Sequence, residues 1–150
     1  MKDNIILLLA LAAIPLFMFS AAYLFSAANA ARRGPLPPGR RLKARLAFGC
    51  AAFILAAHRA AMTWMLLSMD FNDRNVQEGF GMTWWFIDPL AGFPVILGTL
   101  PFTDKMPMPR FITGVYIPLA ILLYAGVVYL LWLAGRRALR AVPGGGGAAV

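Results

Sequence analysis

A chain of 150 residues that is 61% hydrophobic, with a mean hydropathy of +0.71, carries only 13% charged residues, about half the share usual in soluble domains. This excludes a water-soluble globular fold and leaves room for three or four membrane spans with no separate soluble domain. The net charge of +8 and pI near 10.6 point to an acidic partner; the cations cluster beside apolar runs, so anionic lipid is that partner and no nucleic acid is expected. Cys50 is the one cysteine, so one chain can build no disulfide framework.

Residues 4–31 are free of charge and long enough to cross a bilayer core of about 30 Å. Pro15 falls mid-segment, where it removes a backbone hydrogen bond. A cleavable signal peptide is the rival reading, from the small residues Ala28 and Ala30 flanking Asn29. It is set aside because the apolar run is too long and Arg32 and Arg33 follow at once, holding that end in the cytoplasm. The connector to Arg45 then carries Arg32, Arg33, Arg40, Arg41, Lys43 and Arg45 without an acid, broken by Pro35, Pro37 and Pro38. It is expected to be extended and part polyproline, with its cations against lipid headgroups.

The second span, residues 46–69, carries His58 and Arg59 at its centre. A cation at the bilayer midpoint costs about 3 kcal/mol or more and must find a partner. On a helical wheel Gly49, Ala52, Ala56, Ala60 and Thr63 share a face with Arg59, which predicts a helix-packing face of small residues. The expected partner is Asp88, with Asp70 and Asp73 as alternatives, making an intramembrane ion pair Arg59–Asp88. His58 lies on another face. It is the one candidate axial ligand for a haem or pigment, but a neutral imidazole bonded to a backbone carbonyl explains it better, and no cofactor or metal is expected.

Residues 70–82 are polar and turn-rich, and Trp84, Trp85 and Phe86 follow. Trp64, Trp84, Trp85 and Trp132 are read as interfacial anchors. The run 84–102 is apolar but divided by Pro89, Pro94 and Pro101, and Asp88–Pro89 predicts a helix start. About 12 residues reach only about 18 Å, which suits a re-entrant or interfacial element better than a span. A further connector leads to the last span, 111–135, closed by Arg136, Arg137 and Arg140. Residues 142–150, mostly Gly and Ala, predict a disordered tail.

These elements predict an all-α integral membrane protein, one polytopic domain over residues 1–141, with three transmembrane helices plus the short broken helix, four being the alternative. Three spans with the N-terminus outside place both basic clusters in the cytoplasm of a bacterial-type inner membrane. No nucleotide-binding, nucleophile-elbow or zinc-protease pattern is present, so no enzyme is expected. The features left are packing faces, anchors and lipid-facing cations. They favour an accessory subunit or assembly scaffold bound to other membrane subunits or to itself, ahead of a small transporter, channel or holin-like pore former and of a haem- or pigment-binding subunit.

Overall fold

The computed structural model describes residues 2–88, 90–103 and 106–139, and leaves the side chains of 2–12, 81–86, 93 and 99–103 outside the description. The described residues form α1 (Lys2–Ala30), α2 (Pro38–Ser68), α3 (Arg74–Ile87), α4 (Gly92–Thr103), α5 (Met108–Phe111), a π turn (Ile112–Tyr116) and α6 (Ile117–Leu139). Among the described residues, three helical runs are long and apolar enough to cross a membrane: Ala13–Ala30, Pro38–Ser68 and Met108–Leu139. The expected tail, 142–150, lies outside the described residues.

The basic connector expected to be extended and the segment after α2 expected to be turns are both largely helical. α2 begins at Pro38, not near Leu46, because proline is tolerated in a first turn that needs no donor from it. The Pro37 carbonyl accepts the Arg40 and Arg41 amides at 3.0 and 3.1 Å and closes that turn. Arg40, Arg41, Lys43 and Arg45 therefore ride on a helix, and only residues 35–37 remain extended. The polar segment after α2 likewise turns helical at Arg74, since Asp73 Oδ1 caps it by accepting the Asn75 amide at 2.9 Å. Arg74 and Glu78 pair one turn apart at 2.9 Å on its exposed side.

The last span starts early, at Met108, with Pro109 in its first turn. It contains a π turn that the hydropathy pattern does not reveal. The Ile117 amide donates to the carbonyl of Ile112, five residues back, just before Pro118, which has no amide to offer. Widened turns of this kind occur mostly as single turns inside α-helices.

The chain divides into two compact units, Met1–Leu55 with Val128–Val150, and Ala56–Val127. In the first, α1 buries Ser20, Leu24, Ala27 and Ala28, spaced as one helical face, and α6 buries Leu131, Ala134 and Ala138. A methyl group at Gly135 would stand 3.7 Å from Phe48 and 3.8 Å from Leu24, so all three helices meet at that glycine. In the second unit the rings of Phe71, Phe80 and Tyr116 pack edge to face, at 5.5 and 5.6 Å between centroids. Gln77 Nε2 donates to the Phe71 carbonyl at 2.7 Å and ties α3 to the turn before it.

Candidate functional site

The second unit gathers its buried charged side chains, Arg59 and Asp88, into one cluster. Ile87 ends α3 because Asp88 precedes a proline, and the residue before proline is pushed out of helical backbone geometry. The chain restarts at Gly92, whose amide donates to the Asp88 carbonyl at 2.6 Å, while the Ala91 amide approaches Asp88 Oδ1 at 3.4 Å. Asp88 thus occupies the start of α4, where the helix dipole favours an anion, and is 0% exposed.

Three side chains from two other helices converge on it. Arg59 Nη1 of α2 donates to Oδ2 at 2.7 Å, and the Tyr116 hydroxyl donates to the same oxygen at 3.0 Å. The Tyr124 hydroxyl lies 2.8 Å from Oδ1. Charged hydrogen bonds of this kind are roughly twice as strong as neutral ones, and they offset the several kcal/mol that each buried ion costs in desolvation. Arg59, 7% exposed, is held further by Thr63 Oγ1 at 3.1 Å from Nε and by the Tyr124 ring, whose centroid is 5.5 Å from Cζ. Its Nη2 is buried without a hydrogen-bond partner among the described residues.

His58 closes the other side. Nε2 lies 3.1 Å from the Ile87 carbonyl oxygen, which can only accept, so Nε2 carries a proton. Nδ1 lies 2.8 Å from the Tyr124 hydroxyl, and the two rings stack at 5.8 Å, 8° from parallel. Tyr124 therefore offers one hydroxyl proton to two acceptors, Nδ1 and Asp88 Oδ1. Both imidazole nitrogens are engaged, so ligation of a haem or pigment by His58 would first have to displace Ile87 or Tyr124.

No family model, curated protein or solved structure matches the chain.

Of the residues singled out in the sequence, the structure brings together Arg59, Asp88, His58 and Thr63. Asp70 and Asp73, the alternative partners, are spent locally: Asp70 Oδ1 accepts from the Asn72 amide and side chain at 3.0 Å, and Asp73 caps α3. The small-residue face is placed differently from expectation. Within the chain α2 buries Ala44, Ala51, Leu55, Arg59 and Leu66, whereas Gly49, Ala56 and Ala60 are exposed and Ala52 and Thr63 half-buried. Arg59 sits at the border between the two faces, so a wheel centred on it and the small residues is rotated by about one residue, or 100°, from the buried seam. Trp64 is exposed, as is Trp132 beside Arg136; the side chains of Trp84 and Trp85 lie outside the description. Arg32, Arg33, Arg40, Lys43 and Arg45 are exposed and Arg41 is half-buried.

The sequence reading missed Tyr116 and Tyr124. The available signal was their spacing with Ala120, one buried stripe running from the π turn into α6. A tyrosine hydroxyl inside an apolar span must find a partner, and Asp88 was the acid in want of donors.

Proposed function

We propose that this is a small, non-catalytic, multi-pass membrane protein that acts as an accessory subunit or assembly scaffold of a membrane complex. The observation that carries the reading is the closure of the Asp88 site. Both carboxylate oxygens are engaged by Arg59, Tyr116, Tyr124 and the Ala91 amide, so the buried charges fix the chain to itself. A carboxylate so enclosed is a structural clasp, with no lone pair turned toward a substrate.

Supporting it is the outer face of α2. Gly49, Ala56 and Ala60 alternate there with Phe53 and Trp64, 74% and 73% exposed. Small notches between large ridges let another transmembrane backbone approach closely. The occupant of this reading is a helix of a partner subunit. α4, at 12 residues, is too short to cross and serves as a re-entrant or interfacial element carrying Asp88 to Arg59. The positive-inside rule puts the start of α2 and the end of α6 in the cytoplasm of a bacterial-type inner membrane, and the N-terminus and α3 outside. Anionic lipid is the second partner, and no cofactor is required.

A second reading, a small transporter or channel, has one observation in its favour: the buried Nη2 of Arg59, without a partner among the described residues, is a donor that water or an anion could use. Mild-detergent purification of the tagged chain from its native membrane separates the two. A stoichiometric partner is expected; a chain recovered alone that makes vesicles leak ions would replace the first reading with the second.

A further inference from the structure

The first unit holds a second feature, unrelated to the clasp. Trp132, Gly135, Arg136 and Leu139 recur at helical spacing along one side of α6 and, with Phe48 of α2, line a groove of about 430 Å³. Its walls are apolar except for Arg136, whose guanidinium stands over the Trp132 ring, 5.4 Å from the centroid. Gly135 forms part of the groove wall, and a methyl group there would already stand 3.7 Å from Phe48, so a larger side chain would crowd that wall. A volume in the range of small-ligand pockets, about 300 to 1,000 Å³, is too small for a helix and suited to a single acyl chain.

Charge decides which lipid. This unit holds ten of the fourteen Lys and Arg residues but one of the six acids. Arg137 is exposed next to Arg136, and Arg41 stands two turns before Phe48 on the same side of α2, its Nε buried without a partner among the described residues. Tryptophan beside arginine at a helix end is the composition of the headgroup level. We infer that this groove is a binding site for an anionic phospholipid, with one acyl chain against Phe48, Trp132 and Leu139 and its phosphate on Arg136. Stacking on Trp132 pre-orients the guanidinium, and a planar donor fork suits a phosphate better than an ammonium does. The inference rests on the membrane-spanning reading and is independent of any protein partner.

The test uses the full chain with Trp64, Trp84 and Trp85 replaced by Phe, so that Trp132 alone fluoresces. It is reconstituted in phosphatidylcholine vesicles containing phosphatidylglycerol, with bromine on the acyl chains of one lipid or the other at equal mole fraction. Brominated phosphatidylglycerol is expected to quench Trp132 at several-fold lower mole fraction than brominated phosphatidylcholine. Arg136→Gln should erase about a fivefold share of that preference, the factor that corresponds to about 1 kcal/mol per basic residue at the surface. Arg136→Lys should retain most of the preference, and Gly135→Leu should lower quenching by both lipids. Equal quenching in the parent protein would overturn the site. So would Arg137→Gln costing as much as Arg136→Gln, which would mean diffuse attraction by the whole basic end. A chain that fails to float with vesicles would instead refute the membrane reading itself.

Discussion

Removing Arg59 and Asp88 singly and together tests whether the clasp holds the second unit. Asp88→Asn leaves a guanidinium that cannot lose its proton, 7% exposed, with no counter-charge among the described residues and only neutral neighbours there, the new amide, Thr63 and the Tyr124 ring. Arg59→Met leaves a carboxylate that still has Tyr116, Tyr124 and the Ala91 amide. Breaking a buried pair costs about 3 to 5 kcal/mol. Asp88→Asn should fall at the upper end of that range and Arg59→Met at the lower. The double variant leaves only neutral groups imperfectly paired, at about 1 to 3 kcal/mol. The coupling should therefore be at least about 3 kcal/mol, whereas independent sites add within about 0.5 kcal/mol. Reversible unfolding in bilayer discs, followed by helical circular dichroism, supplies the four free energies. Additive losses would refute the reasoning and place the partner of Arg59 elsewhere, in lipid phosphate, water or another subunit.

Further outcomes follow from the same geometry. Tyr124→Phe should destabilise by about 1 to 3 kcal/mol, because Asp88 Oδ1 and His58 Nδ1 lose a shared donor. Since His58 is the one histidine, ¹⁵N-histidine spectra of the two proteins should show Nδ1 shifting while Nε2 stays protonated; an unchanged Nδ1 would contradict the network. Asp73→Ala should cost about 1 kcal/mol through loss of the α3 cap, read as increased amide exchange at Asn75 against an unchanged α6. In a background lacking Cys50, a cysteine at Asn72 should react with an impermeant maleimide in intact cells and one at Arg137 should not, and the reverse pattern would invert the threading.

The legibility of the chain tracks the physics at each place. Three spans are visible because a bilayer demands about 20 apolar residues in a row, and residues near 4–31, 46–69 and 111–135 answer that demand. Helix starts at Pro38, Arg74 and Met108 were hidden, because proline and asparagine read as turn formers whether they precede a helix or open it. The π turn was hidden for a different reason: it follows from backbone geometry around Pro118, and no side-chain pattern announces it. Arg59 and Asp88 could be matched because a buried charge has few places to go. Tyr116 and Tyr124 could not, since a tyrosine in a span reads equally as packing or as anchor until the acceptor is located.

Association through the outer face of α2 is the claim most directly open to measurement. A photo-crosslinking amino acid placed in turn at Gly49, Ala56 and Ala60, and at the exposed Leu122 of α6 as comparison, reports in living cells what each face touches. The account predicts one discrete crosslinked protein of constant size from the three α2 positions and lipid adducts alone from Leu122. Lipid adducts alone from all four positions would contradict it, and a crosslinked product of twice the chain's own mass would make the partner a second copy.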